Sequence, residues 1–573
     1  MMASLSLSTL PTTTTTKKTN TWSRSPLFSK PSPRRFKVSC NAAADDDHKT
    51  SETPKLILPK TSLDMQNVDR RNLLLGLGGI YGATNLASVQ SALAYPMTAP
   101  DDIRNCFDAH VEHPKHSLRG VHCCPKPPEP YYKPKDYMLP VIPKPRIRPA
   151  AQRVTAKYIK DYEWAIEKMK SLDDDDPHSW NQQAKIHCAY CNDAYIQGNN
   201  KDSKYRIQIH SSSLFFPFHR WYLYFYERIL GKLLHDDTFA LPYWNWDHPT
   251  GMMIPGMYEA AMVNKHDPKK KKERDPRNNH LFDGYRNVKH LPPVTMDLNH
   301  FEDTNTDPAM LVHQNLSIMR RQMKENAQSA RFFFGKDPSP PNPYPRTSEP
   351  DVLAYRHEQT AGSIESPIHN VVHNWTGNPR LPMGEDMGDF YSAGYDPIFF
   401  AHHANVDRMW TIWKDLDHKN KEPKSDDWLN ASYVSYDENR ELVRVYNKDC
   451  VDTIRMGYKY EDSPIPWKDY KSLPANSVRI EKSVEDMEFP VKLDKVVKIT
   501  ASESEFAGSF TAVAHHHGGK MFATSGAVFG ITQLLEDLEA EDDEDVLVSL
   551  VPRTGADDVT ISEIKIELVL IDD

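Results

Sequence analysis

Six histidines of the chain fall into two sets of three. In "ESPIHNVVHNW", His369 and His373 stand four apart. On a helix that spacing stacks both imidazoles on one face, one turn apart, so both reach a single metal ion. His403 follows in a second helical segment, "PIFFAHHANVDRMWTIWKDL". Upstream, His187 lies in "WNQQAKIHCAYCNDAY", and His210 and His219 bracket "SSSLFFPF". Each set is a neutral, nitrogen-only site. Imidazole suits zinc, copper, iron and nickel, so the ligand type alone does not name the metal. A metal-bound histidine needs an acceptor for its other ring N–H, and Asp407, four after His403, is expected to supply one. His402, adjacent to His403, points elsewhere on the helix and is read as structural. A lone His-x-x-x-His is often a pair of unrelated histidines. Two matched sets in aromatic surroundings point instead to two metals inside a helical bundle.

The elements that must position these rings are legible as apolar periodicities. "AAQRVTAKYIKDYEWAIEKMKSL" places Val154, Tyr158, Tyr162 and Ala165 on one face. "WNQQAKIHCAYCNDAY" and "HRWYLYFYERILGKLL" predict two more helices, with Pro217 setting His210 on a loop and His219 at a helix start. Aromatic residues there keep water from the centre, and Arg220 and Glu227 require partners at its margin. Residues 250–345 read as loops with one helix near 308–330, and their basic run reads as a solvated loop. Nine prolines between Pro125 and Pro149 predict an extended arm lying on the body.

Beyond residue 460 the pattern changes to period two. "FPVKLDKVVKIT", "GSFTAVAHHH", "DVLVSLVPR" and "VTISEIKIELVLI" predict strands. The fold class is therefore mainly α: a four-helix-bundle core with long loops, spanning 95–460. A linker at 461–488 and an all-β sandwich at 489–573 follow it. The "HHH" at 515–517 reads as an exposed loop.

Residues 1–94 read as address rather than fold. Residues 1–40 hold seven Lys or Arg and no acid, the composition of a transit peptide. Arg70 and Arg71 then precede a short glycine-rich apolar stretch and the "ALA" at 92–94, a twin-arginine signal with a cleavage site. Two signals in series imply a chloroplast envelope and then the thylakoid lumen. No stable membrane span is expected in the mature chain. Removing 1–94 takes away 12 basic and 6 acidic residues, leaving the remainder more acidic than the whole chain at −9. Such a balance argues against nucleic acid as a partner. Cys106, Cys123, Cys124 and Cys188 suffice for two disulfides in an oxidising lumen. Spacing does not choose among their three pairings.

"HSSSLFFPFHRWYLYFYE" and "DPIFFAHHANVD" resemble the two copper signatures of the tyrosinase and polyphenol oxidase family. "IHCAYC", the "GYKY" at 457–460 and the double signal are similar to the plant branch. The resemblance runs from leader to C-terminal domain. It implies two copper ions forming a type-3 pair, one on His187, His210 and His219, the other on His369, His373 and His403. It implies a thioether between Cys191 and His210, and disulfides Cys106–Cys124 and Cys123–Cys188. It implies that Phe390 gates the first copper, that Glu365 and Asn370 hold a water able to deprotonate a monophenol, and that Asn374 orients phenols. Cys450 receives no role. The activity implied is oxidation of catechols to o-quinones with O2, with monophenol hydroxylation permitted. Phenolic small molecules and O2 are the partners, and the C-terminal domain is an intramolecular shield released by proteolysis.

Other readings of two three-histidine sets are a haemocyanin-like oxygen carrier, a zinc hydrolase, and a specialised aurone-type or phenol-hydroxylating oxidase. Catechol turnover separates the carrier, and metal analysis the hydrolase.

Overall fold

The computed structural model describes residues 2–9, 37–39, 96–113, 116–127, 129–198, 206–259, 279–299, 307–336, 359–470, 504–511, 525–526 and 545–554. Within them, helices carry five of the six predicted ligands. Ala156–Lys170 starts at Thr155, whose hydroxyl accepts from the Tyr158 N–H, and Trp180–Cys191 starts at Ser179 in the same way. Phe215–Leu234 is buried along most of its length and ends at His235 in the left-handed region. Pro217 sits in its first turn, where the missing N–H costs nothing. His219 therefore lies one turn inside, and His210 lies before the helix. Ile398–Leu416 is buried on nearly every side as far as Trp413, which makes it a central rod of the core.

The segment bearing His369 and His373 is not one regular helix. Glu365–His369 forms a wide π-helical turn that runs into the Asn370–Thr376 α-helix. The His369 N–H reaches back to the Ile364 carbonyl at 2.9 Å. Such turns recur at functional sites because they re-aim a side chain. The 308–330 prediction corresponds to Pro308–Arg320, capped by Asp307 and continued by a second π-helical turn.

The proline-rich arm is pinned by strand pairing. Arg146–Arg148 runs parallel to Tyr458–Tyr460, and Lys135–Asp136 runs parallel to Leu442–Tyr446. The hairpin Ser432–Tyr436 with Leu442–Tyr446 is an element that helical periodicity overlooked. Its alternating Tyr, Val and Leu around "DENR" carry the strand signal. Disulfides Cys106–Cys124 and Cys123–Cys188 tie the arm to the helix that holds His187.

Two expectations need revision. The sequence pattern starts the linker at 461, but Trp467 is fully buried and its indole donates to Asp247 at 2.9 Å. The compact core thus runs to at least Tyr470. The composition of the leader sets it outside the fold, yet Met2–Thr9 pairs antiparallel with both Ser504–Thr511 and Asp545–Thr554, and Lys37–Ser39 pairs with the latter. Alternating Leu and Ser in "MASLSLST" is itself a strand pattern, and open strand edges recruit such segments. Of the four C-terminal strand predictions, that at 508–517 overlaps the strand Ser504–Thr511 and that at 545–553 coincides with the strand Asp545–Thr554. The segments at 489–500 and 559–571, and the histidine run at 515–517, lie outside the described residues. Among the described residues no helix is long and apolar enough to cross a membrane.

Candidate metal centre

The fold brings both predicted sets together. One ligand atom each from His187, Cys191, His210 and His219 lies within 4.8 Å of the others, and the same holds for His369, His373, His402 and His403. All eight residues are buried. The sets adjoin: the rings of His219 and His403 stack 4.1 Å apart at 15°.

Backbone carbonyls aim four of the rings. Nδ1 of His187 donates to the Phe390 carbonyl at 2.8 Å, and Nδ1 of His219 to the Phe215 carbonyl at 2.8 Å. Nδ1 of His373 donates to the Met387 carbonyl at 2.7 Å. Nδ1 of His369 faces the Asn370 side-chain oxygen at 2.9 Å and the Glu365 carbonyl at 3.2 Å. With the proton on Nδ1, each Nε2 carries its lone pair into the site. A single loop serves both sets, since Met387 and Phe390 lie three residues apart. Arg286 anchors that loop by pairing with Asp396 at 2.6 Å, both buried.

Asp407 does not orient His403. Its carboxylate takes Arg220, Arg148, Tyr458 and Tyr460. Burial works to raise the Asp407 carboxyl, and the Arg220 and Arg148 charges outweigh it, so it stays below the ordinary value. Glu227 is held likewise, by Arg148 at 2.8 Å and Arg146 at 3.0 Å. These are the partners that Arg220 and Glu227 required. The i+4 spacing suggested a contact within the helix, but the two arginines and two tyrosines come from elsewhere and give a buried carboxylate stronger partners.

The remaining candidates lie close by. Phe390 is buried and stacks on His210, and Phe399 packs 4.2 Å from His403 and 4.8 Å from His187. Glu365 is buried. One of its oxygens accepts from the Ser211 N–H, while Oε2 makes no hydrogen bond. Burial raises its carboxyl to about 8 against the Ser211 and Gly362 N–H groups. Asn370 is buried beside His369, and Asn374 is half-buried on the same helix. Cys191 is a buried free thiol in the first set. Cys450 is also free and buried, and its carbonyl accepts from Arg220 at 2.9 Å. His402 does not point elsewhere on the helix, because its ring lies in the second cluster, 4.9 Å from His373.

Do these residues fit a metal pair? Burial holds His187 down at about 3 and His373 at about 4, and keeps His219, His369 and His403 well below their ordinary value. The rings are therefore neutral and free to ligate. Nε2 of His187, His219 and His369 is buried without a hydrogen bond. Nε2 of His373 and Nε2 of His403 face each other at 3.2 Å. As His373 keeps its proton on Nδ1, a cation between those nitrogens satisfies both lone pairs. Nitrogen-only donor sets of this kind suit copper and zinc and disfavour magnesium or calcium.

Comparisons with known proteins agree with that chemistry. Residues 177–416 match the common central domain of tyrosinase, 422–473 the polyphenol oxidase middle domain, and 473–568 the chloroplastic polyphenol oxidase C-terminal domain. The chain is 39% identical over 622 residues to polyphenol oxidase E, chloroplastic, of Solanum lycopersicum, covering 96% of each. A solved latent aurone synthase (polyphenol oxidase) from natural source superposes with a TM-score of 0.69 at 38% identity, covering 83% of this chain and 100% of that one. The structure of latent apple tyrosinase gives 0.59 at 40% identity, covering 73% and 96%.

Proposed function

The chain belongs to the plant polyphenol oxidases of the tyrosinase family and is a copper-dependent oxidase; from that premise we propose that it oxidises o-diphenols to o-quinones and also hydroxylates monophenols. The observation that carries this reading is the pair of adjoining buried histidine clusters with neutral, inward-facing nitrogens. His187, His210 and His219 would hold one copper, and His369, His373 and His403 the other. Bound there, a copper pair supplies two-electron exchange with O2.

The protein's own groups do the rest. Carbonyls of Phe390, Phe215 and Met387 fix the rings through Nδ1. Phe390 and Phe399 wall the centre from water. Oε2 of Glu365 is the atom proposed to take a monophenol's proton through a water shared with Asn370, and Asn374 to orient the phenol. Cys191 is proposed to form a thioether to His210. Its formation removes one hydrogen from the thiol and one from the imidazole carbon, with O2 as oxidant. A peptide lighter by two hydrogens in active protein supports the bond, and an alkylatable Cys191 rejects it.

The full-length chain is proposed to be a latent form. Its C-terminal segment, tethered at high effective concentration, would exclude bulky phenols until cut away. Homologues named chloroplastic support that compartment for this chain, and the twin-arginine pattern supports the thylakoid lumen. The carrier reading is set aside, since the relative matched over 96% of the chain is an oxidase.

Copper analysis with catechol turnover tests the whole. Two coppers per chain are expected, and His373→Ala should lose one copper and all turnover. A His373→Ala protein with one copper and full activity overturns the assignment.

A further inference from the structure

The second cluster contains one imidazole too many. His369, His373, His402 and His403 each place a ring nitrogen within 4.8 Å of the others, and all four are fully buried. The ring of His402 stacks on His369 at 5.2 Å and 17°. By position it is as able to ligate as its neighbours. A copper with four imidazoles would be closed, whereas chemistry with O2 and phenols needs an open position, as catalytic metal sites in general do.

The difference between His402 and its neighbours His369 and His373 lies at Nδ1. Nε1 of Trp246 stands 3.2 Å from Nδ1 of His402. An indole N–H only donates. A neutral imidazole has a single in-plane lone pair, because its other nitrogen carries the proton. The Trp246 N–H therefore takes that lone pair at Nδ1 and leaves the proton on Nε2, which makes no hydrogen bond of its own. Neither nitrogen then has a lone pair to give a metal. For His369 and His373 the outer partner is an oxygen acceptor, and the tautomer is the opposite one.

The chain on either side of Trp246 is anchored to the helix that carries His402. Its neighbour Trp244 donates its backbone N–H to the Ala401 carbonyl at 2.8 Å. Asp247 is gripped by Asn405 at 3.0 Å, Arg408 at 2.9 Å and Trp467 at 2.9 Å. The backbone on both sides of Trp246 is thus fixed against the helix that carries His402, and the indole itself is fully buried.

We propose that Trp246 is a positioning residue that selects the non-ligating tautomer of His402 and so holds the second copper at three imidazoles with one position open. The proposal rests on the copper assignment above. No change of charge is involved, only the choice of which nitrogen bears the proton.

The test uses copper-loaded full-length protein and the variants Trp246→Phe, His402→Phe and the double variant. Phe keeps an aromatic ring, smaller than the indole, and removes the N–H. Pulsed electron paramagnetic resonance of the one-electron-oxidised protein counts the imidazoles on the paramagnetic copper, and copper release to a chelator gives a second reading. Trp246→Phe should gain one imidazole and release copper several-fold more slowly. His402→Phe should match the parent, and the double variant should revert to it. A Trp246→Phe spectrum equal to the parent's, or a change that persists in the double variant, overturns the proposal. A parent without two coppers overturns the copper assignment instead. A neutron map of the unaltered protein needs no variant: deuterium on Nε2 of His402 supports the proposal, and deuterium on Nδ1 refutes it.

Discussion

The ring of Phe390 lies flat on the imidazole of His210, 3.8 Å between centroids and 7° between planes. Its own carbonyl accepts the Nδ1 proton of His187. One residue thus grips two histidines of the first set, one by side chain and one by backbone. Phe390→Ala should keep the His187 contact and lose the cover. Copper content should stay near the parent's, stability should drop by about 3 kcal/mol as for other buried Phe truncations, and KM should fall more for bulky catechols than for catechol itself. Equal KM changes for both would show that Phe390 is not the wall.

Asn370 has two competing uses. Its side-chain oxygen faces Nδ1 of His369, and it is also proposed to hold a water with Glu365. Asn370→Ala should cut phenol hydroxylation by at least about tenfold more than catechol oxidation, within the usual range for loss of a positioned proton acceptor. Paired assays on tyramine and its catechol decide the matter. Equal loss would leave only the ring-orienting role.

Asp407 binds arginines rather than a copper ligand, so its loss should act on stability. Asp407→Asn leaves Arg148 and Arg220 buried with a weakened partner and should cost roughly 3–5 kcal/mol. Urea unfolding measures this. The folded fraction should retain both coppers, and selective loss of one copper would return Asp407 to the role first expected of it.

The buried Trp467 bounds where activation can occur. A chain ending after Leu473 should be stable and oxidise catechol several-fold faster than the full-length protein at equal copper content. A chain ending after Tyr460 loses the indole on Asp247 and should be about 3–5 kcal/mol less stable. Equal turnover of the full-length and Leu473-terminated proteins would end the shielding proposal.

Asp386 and Asp283 flank the loop that serves both histidine sets. Burial first, then the charge of Asp396, pushes Asp283 up to about 7 against the opposing Arg286, and burial first, then the charges of Asp283 and Asp396, pushes Asp386 to about 8. Glu385 adds to the effect at Asp386. An acid whose pKa is raised by folding keeps a proton that the unfolded chain has released. Stability from this source is therefore full below about pH 4 and is lost as pH climbs through about 8. Asp386→Asn removes one such group. Its melting temperature relative to the parent should rise steadily from pH 5 to pH 8, and a constant difference would refute the assignment.

Local sequence determined the six histidines, their grouping by three, and the helices that carry them, because a side chain's place on a helix follows from spacing alone. It also determined that Arg220 and Glu227 needed partners, since burial of a charge demands one. Tertiary structure alone decided who those partners are. Asp407 lies one turn from His403 yet spends its carboxylate on Arg148 and Tyr460, which are distant in sequence. The acceptors for His187, His219 and His373 are peptide carbonyls, and every residue has one, so no residue type marks them. The same holds for His402. Adjacency to His403 suggests that it turns away, yet its ring joins the cluster, and the indole of Trp246, which only the fold brings to Nδ1, selects its tautomer. Spacing fixes direction within one element, whereas proton positions depend on what the next element brings within about 3 Å.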